Sequence, residues 1–312
     1  SALRTSLALH RVQYPSECEE LADCLSWYGR ALTFMGDGTA VEIQREALAI
    51  REKLFPPDHP QIAESEGCLG YALWNIPSRC DFAEAERRYQ RALEIHRGCS
   101  GPPSADHARM AFSFGVLLAR LDRRGESERH FREALTIYRS RQQPDDRYML
   151  ACVEMFAKAL EGWGRPAEAL KYADEAIQMM PVGLDPCWRG DMLRLRSQLN
   201  RQLGNTPDAL RDLRGSLLIA YEELAKDSAE MRGLVPAAAA LIGGEPEGRA
   251  IGVTRYDVIE SVRRHHPEGF EPYLARVKGL ANLLDSAGQD AESAAWNSAM
   301  QAIRARADSG AK

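Results

Sequence analysis

The sequence has no long apolar run. Its longest, LVPAAAALI at 234–242, is nine residues with a proline inside it, about half of what a bilayer-spanning helix needs. No basic-then-apolar leader opens the chain, so neither secretion nor a membrane partner is expected. The seven cysteines, Cys18, Cys24, Cys68, Cys80, Cys99, Cys152 and Cys187, contain neither a CxxC nor a CxC pair. An odd count without such pairs argues against a disulfide framework or zinc knuckle, and a reducing cytoplasm is the expected location. A net charge of −5 argues against binding phosphate backbones, so nucleic acid is not expected as a partner. GGEPEG at 243–248 follows no strand and lacks the lysine of a phosphate loop. No Ser-His-Asp or Cys-His pairing has a supporting motif, so no catalytic residue is named and the chain is not expected to be an enzyme. His265-His266 follow Arg263-Arg264 at a helix end, where positive charge complements the dipole. His59 and His107 stand in DHP and DHA junctions and read as caps or turn packing. Neither a metal nor a cofactor is expected.

What the chain does have is helix formers. Of 312 residues, 45% are hydrophobic and 27% charged, which suits a large folded core. Ala, Leu, Arg and Glu dominate and β-branched residues are scattered, so the fold class is all-α. GRPAEALKYADEAIQMMP at 164–181 is a helix with its own punctuation, yet its buried face carries Ala169, Ala173 and Ala176. That stretch repeats. Ser6, Ala47, Ala92, Ala134, Ala176, Ser216, Asp257 and Ala299 stand at equivalent places, 41, 45, 42, 42, 40, 41 and 42 residues apart, a tandem array. Seven residues earlier come Ala40, Ala85, Ser127, Ala169, Ala209, Ala250 and Glu292; three earlier come Gln44, Tyr89, Phe131, Ala173, Leu213, Thr254 and Trp296. Offsets of three and seven share one helical face. Small residues there let a neighbouring helix approach closely.

A first helix precedes each of these, marked by a large residue followed by a small one: Leu69-Gly70, Phe114-Gly115, Phe156-Ala157 and Leu280-Ala281. Gly164, Gly204 and Gly288 stand at helix ends, Pro166 and Pro207 at helix starts.

With CDFAEAERRYQRALEIH (80–96) and REALAIREKLFPPDHPQIA (45–63) carrying the match, the units resemble tetratricopeptide repeats of the kinesin-light-chain type, about 42 residues long. The resemblance covers nearly the whole chain, as half a unit and seven helical pairs at about 17–56, 59–99, 104–141, 145–181, 187–226, 229–266 and 270–307. The sixth is held mainly by its spacing. The resemblance implies a single α-solenoid, 1–312, a right-handed superhelix whose first helices line a concave groove that binds peptides or partner helices. Where such repeats often carry an asparagine pair for a peptide backbone, this chain has Gly67-Cys68, Phe112-Ser113, Glu154-Met155, Arg194-Leu195 and Lys278-Gly279. The missing asparagines point to a specialised ligand or a scaffold.

By this register the groove presents Trp27, Arg30, Tyr71, Trp74, Arg109, Phe112, Arg120, Lys158, Glu161, Arg194, Arg201 and Asn282. Aromatic residues gather near the amino end and basic ones in the middle, which fits an acidic protein or peptide ligand with an apolar anchor. Arg87 and Arg88, on a second helix, are placed outside the groove. The chain opens inside a repeat and closes in RARADSGAK without a capping helix, so the expected role is a sensor or scaffold part of a larger regulatory protein, as in nucleotide-switch receptors that carry similar arrays. A free-standing regulator sensing a small molecule or peptide is the alternative, an enzyme on a helical-repeat scaffold a remote one. The sequence does not address oligomeric state.

Overall fold

The computed structural model describes residues 18–141, 146–180, 186–244 and 253–308. Among these are fourteen α-helices and a 3-10 turn at Pro77–Arg79. First helices are α1 (Glu19–Phe34), α3 (Pro60–Asn75), α5 (Ala105–Arg120), α7 (Asp146–Gly162), α9 (Pro186–Gln202), α11 (Ala229–Ile242) and α13 (Pro267–Ser286). Second helices are α2 (Ala40–Leu54), α4 (Phe82–Gly98), α6 (Arg124–Ser140), α8 (Pro166–Met179), α10 (Thr206–Ala225), α12 (Arg255–His265) and α14 (Asp290–Asp308). The helices fall in pairs, as expected. Ser6, Ala250 and most of GGEPEG lie outside the described residues.

Local chemistry sets the helix limits. Asp81 and Ser104 cap α4 and α5, accepting from the backbone N–H of Glu84 (2.8 Å) and His107 (3.1 Å), donors that a helix start would otherwise leave unpaired. At the turn inside a pair, Arg165 N–H donates to the Leu160 carbonyl (2.9 Å), Asn205 to Asn200 (2.8 Å) and Gln289 to Leu284 (2.9 Å). Each closes over a glycine with positive φ, Gly164, Gly204 or Gly288, the left-handed residue that this C-terminal cap requires. Asp122 (φ 56°) takes that place in the third pair.

The chain forms two compact units, Ser1–Met155 and Phe156–Lys312. In the amino-terminal unit the stacking is regular: α2, α4 and α6 each pack on their own first helix, α2 and α4 also pack on the next, and α1, α3 and α5 touch in succession. The small faces make this possible. Ala40, Ala47, Ala85, Ala92, Ser127 and Ala134 are wholly buried. A Cβ on Gly67 would stand 1.8 Å from Met110 Sδ, so the approach of α3 to α5 depends on a hydrogen there. Ser127 Oγ donates to the Gly115 carbonyl at 2.7 Å, tying the small member of the large-small pair to the second helix.

In the carboxy-terminal unit α8, α9 and α10 stack in the same way, with Ala169, Ala173, Ala176 and Ala209 buried. The sixth pair breaks the pattern. Thr254 is not on a helical face; it caps α12, its hydroxyl facing the Asp257 N–H (3.2 Å) while its own N–H donates to Asp257 Oδ2 (2.8 Å). This reciprocal box fixes the helix start and leaves α12 only eleven residues long. The seventh pair then packs past the sixth: α13 lies directly on α10 as well as on α12 and α14. Leu213, Leu217, Tyr221, Tyr273, Val277 and Leu280 join one buried cluster, and Tyr221 Oη meets Ser261 Oγ at 3.0 Å.

Candidate functional site

In the amino-terminal unit, Trp27, Arg30 and Phe34 share one face of α1 by their spacing. Trp27, Phe34 and Met35 are 64%, 76% and 67% exposed, unusual for side chains of that size. The Phe34 ring lies 6.1 Å from Tyr71, and Tyr71 meets Trp74 edge-on at 5.8 Å. The Arg30 guanidinium lies over Trp27 (4.7 Å) and donates to Tyr148 Oη of α7 (3.1 Å). Arg120 lies over Trp74 at 5.4 Å. Trp74 itself is a wall rather than a contact. It is 7% exposed, with its indole N–H donated to Tyr89 Oη at 3.1 Å. Phe112 is half-buried, its ring 6.2 Å from Phe131.

The basic expectation is weakened in this unit. Arg109 is mostly buried and shared between Asp106 (2.9 Å), three residues back on α5, and Glu64 (3.9 Å) of α3, an acid that the spacing of first helices does not reveal. Arg88 is not an outward residue: it bridges Glu66 (3.0 Å) and Glu84 (3.1 Å). Burial pushes the Glu66 carboxyl above its usual range against the pull of Arg88. Arg87 is exposed. His107 is not a cap either, since Ser104 caps α5; its ring stacks on His96 at 5.7 Å and meets Glu133 Oε1 at 3.0 Å. His130 (3.2 Å) and Arg97 (3.0 Å) also reach Glu133. Burial opposes the Glu133 charge, yet these partners hold its carboxyl far below the usual range. His59 does cap, accepting from Gln61 N–H at 3.3 Å.

In the carboxy-terminal unit, Lys158 and Glu161 are half-buried on α7, and Glu161 accepts from Gln198 (2.6 Å) and Gln202 (3.4 Å) of α9. Arg194 and Arg201 are exposed on α9, and Asn282 is exposed on α13. Arg194 and Arg201 open onto a pocket of about 460 Å³ between α9 and α13, within the size range of small-molecule sites. Gln198 and Asp191 of α9 and Arg276 of α13 complete its polar rim; Leu213, Pro272, Ala275 and Leu283 supply apolar wall. Arg276 donates to Ser216 Oγ (3.0 Å) and Asp191 (3.4 Å). Neither Arg276 nor the pocket follows from the repeat register, because a regular stack does not set α13 against α10. The signal was the sixth unit, with Pro236 inside α11.

The tetratricopeptide-repeat pattern matches residues 78–140 and, in a second form, residues 38–61. The chain carries tetratricopeptide repeats. No curated protein matches it in sequence. Among solved structures it is similar to the nearly identical TPR-like repeats assigned to a Podosopora anserina kinesin light chain, with 16% identity, TM-score 0.55, and 69% of this array against 100% of that chain. BtubC from P. vanneervenii is 14% identical, with TM-score 0.57 and coverages of 80% and 95%. Aspartyl phosphate phosphatase F from Bacillus subtilis is 11% identical, with TM-score 0.54 and coverages of 92% and 71%. At these identities the likeness is one of fold. No helix among the described residues is long and apolar enough to cross a membrane. The array's seven cysteines form no disulfide.

Proposed function

We propose that the array is a cytoplasmic, non-catalytic protein-interaction module, the sensor or scaffold part of a larger regulatory protein, and that its amino-terminal unit docks an acidic peptide segment with an apolar anchor. The observation that carries this reading is the coincidence of three large, exposed apolar side chains, Trp27, Phe34 and Met35, with Arg30 and Arg120 beside the same aromatic cluster. Aromatic side chains and arginine are enriched where interfaces concentrate their energy. Arg forks over rings also pair with carboxylates.

A displayed peptide library selected on the wild-type array tests this. Selected peptides are expected to place Asp or Glu next to Trp, Phe or Leu. They should lose binding to Trp27→Ala/Phe34→Ala and keep it on Arg87→Glu. Equal binding by the two variants sinks the assignment of the face and leaves the repeat fold untouched.

A further inference from the structure

The pocket between α9 and α13 differs from the exposed aromatic face in kind. Three guanidiniums line it, from Arg194, Arg201 and Arg276, against a single rim carboxylate, Asp191. Asp191 is shared, 3.8 Å from Arg194 Nε and 3.4 Å from Arg276 Nη2. Arg201 has no partner among the described residues. Of the two arginines of α9 outside the pocket lining, Arg189 and Arg196, the latter is fully engaged elsewhere, bound through two nitrogens to Asp212 (2.7 Å each) and through a third to Asp174 (2.9 Å). Positive charge is therefore in excess on the pocket side of α9.

A second, independent feature lies on the opposite wall. Gly279 stands inside the long helix α13, where glycine is unfavourable. No close approach requires it, since a Cβ there would meet only Leu213 Cδ2, at an ordinary 3.9 Å. Contrast Gly67, which packing does require. What Gly279 leaves open is pocket volume.

We infer that this pocket binds a small carboxylic acid: the carboxylate is held by Arg194 and Arg201, with Arg276 behind them, and an aliphatic stem of a few carbons lies along Leu213, Ala275 and Leu283. Planar guanidiniums match a carboxylate through paired N–H donors. The stem gains from leaving water against the aliphatic wall. A free acid and the carboxy-terminal residue of a peptide share this chemistry. The inference does not rest on the amino-terminal docking face, and each stands if the other fails.

Ligand-observed NMR and titration calorimetry on the full chain test it, with hexanoate as probe and hexanamide as its uncharged counterpart. Hexanoate is expected to bind and hexanamide not. Arg194→Gln/Arg201→Gln should weaken hexanoate about tenfold or more, as loss of a charge-assisted pair does. Gly279→Leu should fill the pocket and abolish binding while the melting temperature stays at or above wild type, because leucine is the better helix former. A tripeptide ending in a free leucine carboxylate, compared with its amide, separates the two sources. Its binding assigns the ligand to a peptide terminus, and its failure beside hexanoate assigns a free acid. Equal binding of hexanoate and hexanamide, no hexanoate binding, or wild-type affinity in a folded Gly279→Leu overturns the inference.

Discussion

The two units use the same repeat differently. In the amino-terminal unit every first helix follows the last, and the proposed docking surface is a face of rings and arginines. In the carboxy-terminal unit the seventh pair docks on the fifth beside a short sixth, and a pocket opens where a first helix would otherwise lie. Uniform stacking yields an extended face because each helix covers the same part of its neighbour. A displaced pair yields a cavity because two helices meet out of register, and close packing at α10 leaves space at α9.

Acid gives the largest expected contrast between the units. His96 is buried between α4 and α5, and burial first, then the charges of His107 and Arg109, lower its pKa from 6.5 to about 4, while Asp106 pulls the other way. Because the folded pKa lies below the unfolded one, the unfolded chain takes up the extra proton, and stability falls as pH drops from 6.5 toward 4. The loss is on the order of 2–3 kcal/mol. Glu133, held low by His107, His130 and Arg97, adds a further loss as its carboxyl protonates below the ordinary range. Hydrogen exchange at pH 7 and pH 4.5 is expected to show α4–α6 loosening more than α9 and α10. Equal loosening would remove the His96 cluster as the acid-sensitive element.

The small-residue faces were legible in the sequence, and so were the paired helices, because spacings of 40 to 45 residues and three-seven offsets are local properties of the chain. Partners across repeats were not. Arg109 reads as a groove cation until Glu64 comes beside it from α3, and Trp74 reads as a contact until Tyr89 takes its N–H. The sixth pair deceived differently: its 41- and 42-residue intervals keep time with the array. Spacing, however, fixes only where a helix falls and not which neighbour it packs on. Arg194 and Arg201 were expected on a groove and lie at a pocket whose second wall, with Arg276 and Gly279, no single repeat encodes.

Overpacking a regular junction ranks next. Ala176 is wholly buried on α8 beside Ala173 and Ala169, so Ala176→Phe is expected to cost about 1–3 kcal/mol as displaced side chains leave their preferred rotamers. Chemical unfolding measures it. An unchanged midpoint would mean that the face tolerates a ring and that methyl contacts do not set the spacing of α8.

The smallest effect probes the irregular pair at its start. Thr254 and Asp257 satisfy each other's backbone donors at the head of α12, and α12 carries Val258, Ile259 and Val262 into the cluster shared with α10 and α13. Thr254→Ala is expected to cost about 1 kcal/mol, the usual worth of such a cap. Because the helix is short, fraying at its first turn removes a large share of its buried face, so the loss should appear as faster hydrogen exchange in α12. Exchange in α4–α6 should be unaffected, since the cap supplies donors only to the first turn of α12. If α12 exchanges at the wild-type rate, its position is set by packing on α11, α13 and α14, and the displaced pair owes nothing to the box that begins it.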